Sequence, residues 1–231
     1  METIPLGRLA VAFLPVALVI GLLWHWRLDH RAALVAVGRM LLQLLLIGYV
    51  LVFLFEAQNG LVILGALSVM LLAASWIALG NLAGPFRILF PKSLAAIGLG
   101  GGAVLLVITQ GVLGLDPWFD PSKIIPLAGM IFATSMNSVS LAGERMESEV
   151  AKGIGFVAAR SIAMRASLIP ITNSLLAVGL VSLPGMMTGQ ILSGVSPFIA
   201  ARYQIMVMCM IFGAAGISAA LFLTIARKEL E

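Results

Sequence analysis

The chain has 231 residues, 61% of them hydrophobic and only 10% charged, with a mean hydropathy of +1.11. Soluble domains carry about 25% charged residues, so this composition excludes a soluble enzyme and points to an all-α polytopic membrane protein, a transmembrane helical bundle of about seven spans forming a single transmembrane domain over residues 1–231. The net charge of +4 is scattered over the connections between apolar stretches and forms no basic face, which excludes nucleic acid as a partner and leaves the lipid bilayer.

A spanning helix needs about 20 apolar residues. Windows of this kind occur at residues 6–24, 40–55, 61–79, 93–113, 124–141, 168–192 and 204–226. The first ends in Trp24-His25-Trp26-Arg27 rather than in small residues suited to cleavage, so it is expected to stay attached as a span. Of the 14 basic residues, all but Arg8, Lys123 and Arg202 fall on one side of this arrangement. By the positive-inside rule that side is cytoplasmic, with the N-terminus outside and the C-terminus inside.

In the second span Arg39 and Gln43 lie four apart and share a helix face near the inner boundary. They are read either as a snorkelling arginine beside a helix-joining amide or as part of a transport pathway. The fourth span opens with Gly-Leu-Gly-Gly-Gly at residues 98–102, but no Lys-Ser or Lys-Thr follows. A nucleotide-binding loop is therefore excluded, and the glycines are read as sites of close helix contact. The external loop holds Asp116 and Asp120, each followed by proline, which is a turn signature before it is a cation site. The single cysteine, Cys209, supplies neither a disulfide nor a thiolate cluster.

Between the fifth and sixth spans, residues 143–167 form the longest and most charged connection. Met146, Val150, Ile154 and Val157 recur at helical spacing, as in an amphipathic helix lying at a surface. Such a helix touches lipid headgroups or docks a cytoplasmic motor. In the second case Glu147, Val150, Lys152, Ile154 and Phe156 are the coupling residues.

Residues 180–206 interrupt the apolar monotony with Pro184, Gly185, Gly189 and Gly194. Irregular backbone at membrane depth is tolerated only against protein or a wet cavity, so this stretch is expected to face inward. Gly185 and Gly189 also fit a small-residue packing stripe that lets helices approach closely. Met186 and Met187 are either core fillers or soft ligands. The span interiors contain no Asp, Glu, Lys or His; their polar residues are neutral and include Asn137, Asn173 and Gln190. Charged relays are thus missing, and uphill transport would need force from another polypeptide.

Three stretches carry a family resemblance: Gly-Arg-Met-Leu-Leu-Gln at the head of residues 38–51, Ile-Ile-Pro-Leu-Ala-Gly-Met at the head of residues 124–136, and the run from Gly179 through Leu-Pro-Gly-Met-Met-Thr-Gly-Gln to Pro197, followed by Arg-Tyr-Gln-Ile-Met. They resemble the motif blocks of the FetB-type family of iron-export ABC transporter permeases, which also contains plant aluminium-tolerance half-transporters. The resemblance implies a permease of the bacterial plasma (inner) membrane, pairing as a homodimer with a separate cytoplasmic ABC ATPase subunit and exporting metal ions such as iron. ATP would be used by that partner, with no cofactor in this chain. The chain departs from the family pattern at Leu176, Ser196, Ala133 and Thr134, and its cytoplasmic connection is shorter, with Lys152-Gly153-Ile154-Gly155 the nearest remnant of the coupling sequence. The competing classes are a secondary transporter of a small solute and a non-transporting membrane scaffold or assembly protein.

Overall fold

The computed structural model describes residues 4–56 and 59–230, and its secondary structure is helical apart from one isolated bridge between Val178 and Ser182. The chain divides into two compact units, Met1–Glu56 and Ala57–Glu231.

In the first unit α1 (Leu6–Val11) and α2 (Phe13–His25) meet at Ala12, and α3 (His30–Glu56) follows after a turn in which Arg27 takes a positive φ of 59°. Asp29 starts α3 by accepting a hydrogen bond from the Ala32 amide at 3.0 Å, satisfying one of the orphan donors of the first turn. Among the described side chains α2 buries none and α3 buries only Leu54. Apolar side chains that point outward in this way suit hydrocarbon rather than water.

The second unit runs through α4 (Gly60–Ala78), α5 (Phe86–Leu106) with a π-helical extension over Val107–Val112, α6 (Pro121–Ala151), α7 (Phe156–Ala177), α8 (Gly185–Leu192), α9 (Pro197–Ile225) and the short α10 (Arg227–Leu230). Asn59 caps α4 through a bond from the Leu61 amide at 2.9 Å. Asp120 caps α6, accepting from the Ser122 amide at 3.1 Å and the Ser122 hydroxyl at 2.7 Å. Helix α6 is the centre of the unit and packs along α9, α7, α4 and α5.

Small residues set the distance between these helices. A Cβ added at Gly100 would stand 2.7 Å from the Ser218 Oγ and 2.9 Å from the Ser218 backbone nitrogen, and one at Gly101 would stand 2.9 Å from Ile131 Cγ2. Where lipid tails compete with apolar side chains, such tight backbone approach is what holds helices together. The buried hydroxyls are satisfied inside the seam: Ser218 donates to Ser135 at 3.1 Å, and Ser135 donates to the Ala214 carbonyl at 3.3 Å.

Six helical stretches among the described residues are long and apolar enough to cross a membrane: Gly7–His25, His30–Glu56, Gly60–Ala78, Phe86–Val112, Pro121–Ala151 and Pro197–Ile225. Two sequence expectations are corrected. Residues 168–192 are not one span, because α7 begins at Phe156, stops at Ala177, and gives way to a turn before the separate α8. Gly179 adopts a φ of +82° there and its amide donates to the Ser182 carbonyl at 2.9 Å, while Pro184 precedes α8. Nor do residues 143–167 form their own surface helix. Helix α6 runs on to Ala151 and ends in a Schellman turn, with Gly153 at φ +81° and the Ile154 and Gly153 amides donating to the Glu149 and Val150 carbonyls.

Candidate transport cavity

Polar groups in the second unit converge where α6, α7 and α9 meet. On α6 the positions 130, 134, 137, 138 and 141 share a face by the three-and-four spacing of a helix; on α7 the same holds for 167, 170, 171 and 174. Thr134, Asn137, Ser138, Ser167, Pro170 and Ser174 border a cavity of about 250 Å³. A second cavity of about 340 Å³ is bordered by Met130, Ser174, Ser182, Gln204 and Met208, with Pro184, Gly185 and Met186 at the start of α8. Ser174 and Ile211 border both. The two cavities therefore adjoin, side by side along one track of lining residues.

The hydroxyls on this track have mostly spent their protons on their own helices. Thr134 donates to the Met130 carbonyl at 2.8 Å, Ser174 to the Pro170 carbonyl at 3.0 Å, and Ser167 to the Met164 carbonyl at 2.9 Å. A hydroxyl that has donated backwards retains only lone pairs. Pro170 lacks an amide, which leaves the helix locally short of a hydrogen bond in the middle of the wall. Gln204 is 5% exposed and its Oε1 has no hydrogen-bond partner. No ionisable side chain borders either cavity.

This geometry sorts the residues singled out in the sequence. Asn137, Pro184, Gly185 and Met186 border the track. Asn173 lies exposed on α7 outside both linings, and Met187, Gly189 and Gln190, half-buried on α8, also lie outside them. Gln190 nonetheless carries a buried, unpartnered Oε1. Arg39 and Gln43 are exposed on α3 in the first unit. The expected close approach at Gly185 and Gly189 is corrected: within this chain nothing lies within 4 Å of a Cβ built at either, and close contacts sit instead at Gly60, Gly84, Gly100, Gly101 and Gly143. Met130, Ser138, Ser167, Ser174 and Met208 are among the lining residues that inspection of the sequence does not select, and Gln204 reads in the sequence only as an amide at an entrance. The signal for them was the spacing of 204 and 208 on α9 and of 130, 134 and 137 on α6.

At the other end of α6, the coupling residues are already engaged within the chain. Glu147 accepts from the Ala83 and Gly84 amides at 3.0 and 3.1 Å, fastening the α4–α5 connection to α6. Glu149 is buried and pairs with Arg145 at 2.9 Å and Lys152 at 3.0 Å. Met146 is fully buried, whereas Val150 and Ile154 are half-buried and Lys152 and Val157 are exposed. Phe156 carries the Arg227 guanidinium over its ring at 4.6 Å and that of Arg160 at 5.7 Å. Lys92 pairs with Glu229, and this bond holds the Glu229 carboxyl below its usual range. Among the described residues no three His, Cys, Asp or Glu side chains are grouped to hold a metal.

Residues 6–230 match the family model described as an uncharacterised protein family, UPF0014. The chain is 38% identical over 193 residues to the UPF0014 membrane protein slr1647 of Synechocystis sp., covering 75% of this chain and 73% of that protein. It is 35% identical over 198 residues to the probable iron export permease protein FetB of Escherichia coli, covering 79% and 75%. It is 31% identical over 229 residues to the protein ALUMINUM SENSITIVE 3 of Arabidopsis thaliana, covering 90% and 81%. No solved structure matches the chain.

Proposed function

The chain belongs to the UPF0014 family of integral membrane proteins, and from that premise we propose that it is the permease subunit of an ABC transporter that exports metal ions from a bacterial cytoplasm. The observation that carries this reading is the 35% identity, over 79% of the chain, to a protein named as a probable iron export permease. Energy comes from a separate ATPase, because the chain holds no nucleotide-binding motif.

Helix α6 has 31 residues, about 46 Å at 1.5 Å per residue, against a hydrocarbon thickness of about 30 Å. The α6–α7 turn therefore has the reach to project beyond the bilayer and meet a cytoplasmic subunit, through Lys152, Val157 and the half-buried Val150 and Ile154. All but three of the 14 basic residues then lie on the cytoplasmic side if α7, at 22 residues or about 33 Å, is the seventh span, with the N-terminus outside and the C-terminus inside. Two copies pair in the membrane, which covers the exposed amides Asn137 and Asn173 that would be costly against lipid.

The test is reconstitution with candidate cytoplasmic ABC ATPases from the same genome. One of them should co-purify with the chain, and in proteoliposomes ATP hydrolysis should rise on adding one member of a panel of metal ions. Lys152→Glu combined with Val157→Asp should abolish that stimulation while membrane insertion survives. Full stimulation in the double variant would remove the α6–α7 turn as the docking element, and failure of the wild type to bind any ATPase would sink the permease reading.

A further inference from the structure

We propose that the 340 Å³ cavity beside α8 binds a soft, monovalent metal cation of the cuprous class, held by the thioethers of Met130, Met186 and Met208 together with the side-chain carbonyl of Gln204. The site deepens the metal-export reading, on which it rests for its physiological meaning alone; binding itself requires no ATPase.

Methionine ordinarily fills irregular gaps in a core. Here three of the 12 methionines, carried by α6, α8 and α9, border a space that remains unfilled. Gln204 supplies an independent pointer. Its side chain is buried to within 5% of full occlusion, and its Oε1 accepts no hydrogen bond, although it borders the same cavity. A buried acceptor without a donor is unfavourable, and a side-chain rotation that turned this oxygen to the cavity would let a bound cation satisfy it. Ser174 adds a second oxygen with free lone pairs, since its proton is bound to the Pro170 carbonyl. The wall is thus rich in acceptors and thioethers.

The charge of the ligand follows from what is missing. No Asp, Glu, His or Cys borders the cavity, so every donor is neutral. The cost of stripping water from an ion rises with the square of its charge, and a neutral wall offers no counter-charge to offset it. Thioethers favour soft ions, whereas carboxylates and water suit hard ones. A soft monovalent cation meets both conditions, and hard trivalent ions such as ferric iron or aluminium meet neither.

The test uses the purified full chain in lipid nanodiscs, carried throughout on a Cys209→Ser background because this exposed thiol would itself take silver, with silver(I) as a redox-stable probe of the class, equilibrium dialysis and elemental analysis. The wild type should take up about one silver ion per chain at this site, unaffected by excess ferrous or aluminium ions. The combination Met130→Leu, Met186→Leu and Met208→Leu should abolish uptake; Met and Leu are close in volume, so packing is largely retained. Met187→Leu, Met206→Leu and Met210→Leu, which do not border the cavity, should leave it unchanged. Gln204→Leu should weaken binding by roughly tenfold, the scale of loss for a supporting ligand. Monodisperse elution checks each variant, and if the triple replacement misfolds, Met208→Leu alone is read for the same loss. Unchanged uptake in a folded triple or single variant, or no uptake by the wild type, overturns the site. Silver binding without ATPase co-purification would leave the site standing and remove the permease reading, and the converse result would do the reverse.

Discussion

Gly100→Ala tests the tightest helix contact in the second unit. The added methyl would lie 2.7 Å from Ser218 Oγ, 2.9 Å from the Ser218 nitrogen and 3.1 Å from its Cα. The hydroxyl can rotate, but two of these neighbours are backbone, so α5 and α9 must separate by several tenths of an ångström. Overfilling of this kind costs about 1–3 kcal/mol, and rotation of Ser218 also breaks its 3.1 Å bond to Ser135. Alanine's higher helix propensity offsets at most about 1 kcal/mol, leaving a net loss. Gly102 is the internal control: two residues along the same helix, a Cβ there has nothing within 4 Å, so Gly102→Ala should be neutral or stabilise by up to about 1 kcal/mol. Thermal aggregation followed by size-exclusion chromatography in detergent would rank the three proteins. Equal midpoints for the two variants would refute the argument that this seam is set by backbone approach.

Three further outcomes are expected. Topology reporters fused after Asp29, Lys92, Lys152 and Lys228 should read cytoplasm and those after Glu56 and Lys123 should read outside; an external Lys228 would overturn the seven-span orientation. Glu147→Ala removes the acceptor of two backbone bonds and should cost roughly 1–3 kcal/mol, visible as faster tryptic cleavage at Arg87, with Glu147→Gln intermediate; cleavage at the wild-type rate would show that the α4–α5 connection is held by something else. The Asp120 carboxyl is held below its ordinary value of 3.8 by the Ser122 hydroxyl first and Lys123 next. Its contribution to stability is therefore complete above that ordinary value and lost as pH falls through the lowered one, and Asp120→Asn, still a helix cap, should flatten that acid limb in a melting-temperature series.

The membrane class and most helices were legible because each apolar run is long and bounded by charge or proline, as at Arg27 to His30 and Pro117 to Pro121. The break between Ala177 and Gly185 was not read as a helix end, since Leu180, Val181 and Leu183 keep the composition apolar across it; hydropathy averages over a turn that Gly179 and Pro184 impose. The apolar recurrence from Met146 to Val157 falls across the end of one helix and the start of the next, with Met146 buried and Val157 exposed, and periodicity alone does not reveal that Gly153 reverses the chain between them. At the cavity, Asn137 and Met186 stood out by type and by neighbours. Ser174 did not, and Gln204 read only as an amide at an entrance, because a lone hydroxyl or amide gains meaning only from the helices set against it.

Helix α6 has one further consequence as a beam. It carries Met130 and Thr134 in the cavity wall and reaches the α6–α7 turn at Ala151 without interruption, an arm of about 26 Å from Thr134 at 1.5 Å per residue. A tilt of about 5° about the turn would sweep the Thr134 end by roughly 2 Å. That displacement is comparable with a metal–sulfur bond, so at the proposed site a small rotation delivered at the turn would suffice to detach the Met130 thioether, on the same helix, from a bound ion.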